Sequence, residues 1–278
     1  MTPLPTPALE ARDVTLAYER HVVFDHLNLR IEAGQITTLI GANGSGKSTL
    51  LKAFGRILTP AAGEVHLAGR PVRGLPTRAV ARSLALLPQK PMTPSATSVQ
   101  DLVSRGRHPH QSLLRPWTSH DGDVVAAALA ATGLTELADR DAGTLSGGQL
   151  QRAWIALVLA QEAPTVLLDE PTTFLDLTHQ LDVLRLTRRI NREHGTTVVM
   201  VLHDLTLAAR FSDRLVVLGR GRVLADGTPW EVLSPEVLRD AFDLAAIVVP
   251  DPVTGTPLIV PLEPSGVEVT HAPRLRIG

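Results

Sequence analysis

Gly41-Ala-Asn-Gly-Ser-Gly-Lys-Ser48 fits the pattern G-x-x-x-x-G-K-[ST], the phosphate-binding P-loop. It follows the apolar run Thr37–Ile40 and precedes a segment, Thr49 to Leu58, with helical character. Strand, glycine-rich loop and helix is the context in which this pattern carries a mechanism. Gly41, Gly44 and Gly46 leave room for backbone N–H groups, including those of Asn43, Ser45 and Thr49, to fold around an anionic phosphate. The helix that follows adds its positive N-terminal end. Lys47 is placed for the β- and γ-phosphates of a nucleotide, and the Ser48 hydroxyl for Mg²⁺. Only three lysines occur, at 47, 52 and 90, so a lysine at this place is a selective feature.

Outward from the loop, the pattern is α/β. Strand-like runs lie at Leu9–Tyr18, Val22–Phe24, Leu27–Ile31 and Ile36–Ile40, then at Glu64–Leu67 and Leu84–Leu87. Thr165–Leu168 and Thr196–Leu202 are short Val/Leu-rich runs, as expected of strands buried on both faces of a mostly parallel sheet. Helical patterns at Asp176–Glu193 and Leu205–Ser212 alternate with them. Between Pro91 and Gly143 the strands stop. Val99–Arg105 and Asp121–Leu137 read as helices of an insert in the α/β core. A hairpin, Arg214–Leu218 with Arg222–Ala225, precedes a short helix and a Pro-rich end.

The 278 residues carry 27 basic and 28 acidic side chains, which argues against a dedicated nucleic-acid surface. Cysteine is absent, excluding disulfides, thiol catalysis and Cys-based metal sites. No run approaches the ~20 apolar residues that span a bilayer, and Met1–Pro7 lacks a signal pattern. The expectation is a soluble, nucleotide-using protein.

Two further segments complete a candidate site. Val166–Asp169 is an apolar strand ending in a carboxylate, so Asp169 is placed to hold Mg²⁺, and Glu170 is placed to polarise an attacking water. Leu145-Ser-Gly-Gly-Gln149 opens a helix running to Gln161. Ser146 and Gln149 form a capping-box pair, but glycines in a first turn cost helix stability. Gly147 and Gly148 make sense where backbone must approach an anion.

That pentapeptide resembles the signature motif of ABC-transporter ATPases, and the resemblance extends over residues 8–262. It implies a P-loop NTPase (RecA-like) core with a mostly parallel sheet, an antiparallel β subdomain and an inserted helical subdomain. The implied division is an extension at 1–8, a core at 9–90 and 162–262, a helical subdomain at 91–161 and a tail at 263–278. Tyr18, the only tyrosine, matches the aromatic that stacks on adenine. Gln89 matches the Q-loop glutamine that touches Mg²⁺ and links the core to the helical insert, Asp176 the D-loop at the dimer interface, and His203 the switch histidine at the γ-phosphate. The resemblance thus implies ATP and Mg²⁺ as cofactors, and ATP hydrolysis by Glu170, Gln89 and His203. Ser146–Gln149 of a second copy would close on ATP bound by the first. Leu150 and Phe174 depart from the family pattern.

Ser104–Gln111 and Pro250–Pro261 are similar to ATPases of bacterial ferric-siderophore importers, ferric-enterobactin systems above all. This implies a chain on the cytoplasmic face of the membrane, bound to integral-membrane permease subunits. A periplasmic or lipid-anchored siderophore-binding protein would be an indirect partner, and nucleic acid no partner. An ATPase of a vitamin B12, haem or other metal-chelate importer stays open, as does a soluble ABC ATPase acting on nucleic acid or ribosomes.

Overall fold

The computed structural model describes residues 6–19, 21–92, 95–112, 116–173 and 175–263. Phe174, most of the N-terminal extension, parts of the insert and the tail from 264 lie outside them. In chain order, β1 (Leu9–Tyr18), β2 (His21–Ile31) and β3 (Ile36–Ile40) lead into α1 (Lys47–Phe54). β4 (Ala62–Leu67), β5 (Arg70–Pro71), α2 (Thr77–Ser83) and β6 (Leu84–Leu87) follow. A helical stretch holds α3 (Val99–Ser104), a 3-10 turn at Arg105–His110, α4 (Ser119–Ala131) and α5 (Gly147–Ala160). Then come β7 (Thr165–Asp169), α6 (Leu177–His194), β8 (Thr197–Val201), α7 (Leu205–Phe211), β9 (Arg214–Gly219) and β10 (Arg222–Gly227). The last elements are α8 (Pro229–Val232), α9 (Pro235–Phe242), β11 (Ala246–Pro250) and β12 (Pro257–Pro261).

The central sheet has the order β10-β9-β3-β8-β7-β6, parallel except for β10. Its inner strands β3, β7 and β8 are buried at every position. The pleat sends alternate side chains to opposite cores. Val198, Met200 and Leu202 join a core under α5–α7, while Val199 and Val201 join one that covers α1 and the second sheet. That second sheet, β2-β1-β4-β5, is antiparallel. A third core unites Val99, Leu102, Val125, Leu129 and Ala156 of the helical stretch.

Several sequence expectations need correction. Val22–Phe24 and Leu27–Ile31 are one strand, β2, because His26 at φ 50° bends the chain without ending the pairing with β1. The helix after the P-loop stops at Phe54, where Gly55 caps it and Arg56 turns left-handed. α4 stops at Ala131, and residues 135–137 form a separate 3-10 turn after Gly133 at φ 66°. α2 and the hairpin β11–β12 were not expected; prolines frame the hairpin, but Pro250 and Pro257 sit at strand ends where no ladder bond is lost.

Candidate nucleotide site

In an open parallel sheet, ligand groups gather at the carboxyl ends of the strands. β3 ends at the P-loop, β6 at Gln89, β7 at Asp169 and Glu170, and β8 at His203. Register keeps these ends level: Leu39 pairs with Val201, and Val201 with Asp169.

The P-loop is a cradle that side chains would fill. A Cβ on Gly41 (φ 152°) would lie 2.2 Å from the Leu218 carbonyl oxygen. On Gly46 (φ 94°) it would lie 2.4 Å from the Phe24 ring. Gly44 (φ 78°) faces open space. Ser45 Oγ is buried with no hydrogen-bond partner among the described residues. Lys47 Nζ is folded over the loop, donating to the carbonyls of Gly41 (2.8 Å) and Ala42 (3.0 Å). Burial lowers its pKa against the pull of Glu170 and Asp169. A polyanion suits every one of these features. The orphaned hydroxyl gains a partner, and the desolvated ammonium gains a counter-charge.

Beside the cradle, Ser48 Oγ donates to Asp169 Oδ1 at 2.8 Å. Burial pushes the Asp169 carboxyl up, against the Ser48 hydrogen bond. Two adjacent hard oxygens, one of them a desolvated carboxylate, fit a divalent cation that would reverse that penalty. Glu170, at φ 52°, is turned from the strand toward three donors. His203 Nε2 lies 2.7 Å from its Oε1. Gln89 Nε2 donates at 2.5 Å and Thr173 Oγ1 at 2.9 Å to its Oε2. Burial alone would raise this carboxyl; the bonds from His203, Thr173 and Gln89 outweigh it and hold it below its usual value. Glu170 is therefore ionised at neutral pH, the form that can accept a proton. Thr173 was missed by sequence reasoning. Its only signal is its place three residues after Glu170 in Asp-Glu-Pro-Thr-Thr173.

The ABC transporter family model matches residues 24–173, just over half the chain, from β2 through Thr173. The chain belongs to the ABC transporter family. The ferric enterobactin transport ATP-binding protein FepC of Escherichia coli is 47% identical over 254 residues, covering 91% of this chain and 94% of that one. The achromobactin transport ATP-binding protein CbrD of Dickeya dadantii is 48% identical, with coverage of 91% and 94%. Among solved structures, a metal-chelate type ABC transporter in an inward-facing conformation superposes with a TM-score of 0.79 at 31% identity, covering 93% of this chain and 98% of that one. The chain is thus an ATP-binding, ATP-hydrolysing cassette.

Other predicted positions of this ABC ATPase lie apart from the strand-end residues. Tyr18 is 43% exposed at the end of β1, beside the stretch of β2 whose Val23 and Phe24 pack on Gly46. Ser146 caps α5 by accepting from the Gln149 amide (3.3 Å), while Gln149 Oε1 accepts from the Ser146 amide (3.0 Å). Asp176 caps α6, accepting from the backbone N–H of His179 at 2.9 Å and lying 2.7 Å from its Nδ1. The two caps adjoin: a Cβ on Gly148 would lie 3.1 Å from the His179 ring. So Gly148 faces the His179 side chain, and Gly147, with open space where its Cβ would be, is the glycine left facing outward.

The basic run in the helical insert also differs from a solvated loop. Arg107 is 2% exposed. It donates to Asp121 (2.9 Å), Glu162 (2.7 Å) and the Ala160 carbonyl (2.7 Å). His110 Nε2 lies 2.8 Å from the Gln161 carbonyl. Only Arg105 and His108 of the cluster are exposed. Among the described residues no helix is long and apolar enough to cross a membrane.

Proposed function

We propose that this chain powers a bacterial importer of iron(III)–siderophore complexes, as a peripheral subunit on the cytoplasmic face of the membrane. Lys47 and the P-loop amides hold the triphosphate, with Thr49 at the start of α1. Ser48, Asp169 and Gln89 would hold Mg²⁺, which when bound supplies positive charge against the β- and γ-phosphates. Glu170 accepts a proton from the attacking water. His203 stands over the γ-phosphate, and Tyr18 stacks on adenine.

The observation that carries the chemistry is Glu170, ionised and fixed by Gln89, Thr173 and His203 beside the Ser48–Asp169 pair. In this arrangement Gln89 and Thr173 share Oε2 and His203 holds Oε1, so release of Gln89 or His203 would give the attacking water more of the carboxylate. The signature segment supplies a reason for release. Ser146–Gln149 lie at the start of α5, which packs on α3, α4 and β6 rather than on α1. A second copy, arranged head-to-tail, would bring them onto ATP with Asp176 at the seam, closing two sites at once. The 91–161 stretch then acts as a lever: Gln89 starts it, and integral-membrane permease subunits dock on its outer side. A siderophore-binding protein outside the membrane would deliver cargo to the permease.

The siderophore assignment is supported by the likeness to the enterobactin and achromobactin proteins across nine-tenths of both chains. Uptake of labelled ferric siderophore by cells lacking this chain tests it. Uptake should be lost, returning with the wild-type gene but not with Glu170→Gln. Normal siderophore uptake with loss of vitamin B12 or haem uptake would reassign the cargo.

A further inference from the structure

α6 carries Arg185, Arg188, Arg189 and Arg192, a spacing that puts all four on one helical face. With Glu193 and Phe211 of α7 they line a cavity of about 380 Å³. Arg192 and His194 suit the negative C-terminal end of α6, but Arg185 and Arg188 lie well before its last turn, where the dipole offers nothing. Carboxylates neutralise the group only in part. Arg185 has Asp182 at 3.5 Å. Arg188 donates to the Arg210 carbonyl (2.6 Å) and Arg189 to the Ala131 carbonyl (2.9 Å), both uncharged acceptors. Among the described residues, Arg188, Arg189 and Arg192 have no carboxylate within 4.0 Å.

Arg189 and Glu193 are shared with a second, larger cavity of about 690 Å³. Its floor is Val158, Leu159, Ala163 and Val166, at the seam between the core under the sheet and the core of the helical stretch. One wall is α4, thinned by Ala127, Ala128 and Ala131; the other is Ile190 of α6. Glu162 also lines it, but that carboxylate is held by Arg107. Glu193 is the acidic group left at the junction, against Arg188, Arg189 and Arg192, with Arg185 paired to Asp182. The volume is that of a small-molecule site rather than of a groove for a helix.

We propose that the two adjoining cavities together bind a small amphiphilic anion, a carboxylate or phosphate on a single hydrocarbon chain. The head would sit among the α6 arginines, whose planar forks match such oxyanions. The chain would lie in the alanine-walled cleft. The C-terminal tail is a poor occupant: residues 264–278 hold Arg274 and Arg276 against one glutamate, Glu268, so its side chains share the sign of the pocket. Because the cleft separates α4 from α6, an occupant would also bear on the Arg189–Ala131 contact that ties the helical stretch to the core.

Calorimetric titration of the full chain with dodecanoate and with dodecyl phosphate, both below their micellar concentrations, tests this. One-to-one binding is expected. Arg185→Glu combined with Arg192→Glu should weaken it at least tenfold. Ala127→Phe, which fills the cleft from an exposed position on α4, should do the same by a separate route. ATP binding by both variants, expected at the wild-type level, reports that they fold. Absence of binding, or binding indifferent to both variants, would overturn the proposal. So would inorganic phosphate or dodecyltrimethylammonium binding as tightly as the anions, which would leave a bare anion patch or a bare greasy cleft. Binding to phosphatidylglycerol vesicles without binding of monomeric amphiphile would assign the arginines to a membrane surface instead, and would also defeat it.

Discussion

Gln89 hands its side-chain amide to Glu170 across 2.5 Å, tying the residue that leads into the helical insert to the carboxylate after the β7 strand. If Glu170 is the base and the insert the lever, this bond couples the two. Movement of the insert would pull on Gln89, and loss of Gln89 would leave Oε2 of Glu170 held by Thr173 alone while His203 keeps Oε1.

Glu170→Gln should retain ATP binding and lose hydrolysis by about 10²- to 10⁴-fold, the range for removal of a general base. It should accumulate as an ATP-bound dimer. Turnover and sizing chromatography with ATP on the same sample check both. Near-normal turnover would remove Glu170 from its role.

The P-loop glycines should differ sharply. Gly44→Ala meets no atom within 4 Å, so it should cost only about 1–2 kcal/mol for the left-handed backbone. Gly41→Ala drives a Cβ to 2.2 Å from the Leu218 carbonyl oxygen, and Gly46→Ala to 2.4 Å from Phe24. Both should abolish nucleotide binding or folding. Thermal melts with and without ATP separate the three.

Ser146→Arg should block dimer closure and hydrolysis while leaving ATP binding. It also removes the cap that accepts from the Gln149 amide. Ser146→Ala is the control, since it loses the cap, about 1 kcal/mol, without adding bulk. Hydrolysis much better preserved in the alanine variant would assign the effect to the interface. Equal loss in both would assign it to the helix start.

Arg107→Ala should destabilise the helical stretch by about 3–5 kcal/mol, because Asp121 is left buried without its cation. Burial raises the Asp121 carboxyl, but hydrogen bonds from Thr118 and Arg107 overcome this and hold it at about 2. A lowered folded-state value means stabilisation that is full above the ordinary value of 3.8 and is lost as pH falls through about 2. Acid melts of wild type and Arg107→Ala should therefore diverge most above pH 4 and converge toward pH 2.

Arg105→Ala with His108→Ala should leave ATP hydrolysis by the isolated chain unchanged and reduce transport, since both side chains are exposed on the insert. Replacing the whole run would mislead, because Arg107 and His110 hold α4 and the end of α5 in place.

The sequence by itself determined the chemistry of the strand ends. Gly41–Ser48, Asp169, Glu170 and His203 sit beside apolar runs, and local pattern fixes both strand and residue type. It also determined the cap Ser146, which depends on backbone within three residues. Tertiary structure alone decided what brings Gln89 to Glu170, 81 residues apart, because sheet order β6-β7-β8 is not written in any one segment. It decided that Arg107 is an interior residue: a basic run looks solvated until Asp121 and Glu162 fold against it. It decided that Gly148 faces a histidine on another helix. Short-range order follows from propensity and capping; burial and pairing are set by which distant surfaces the core brings together.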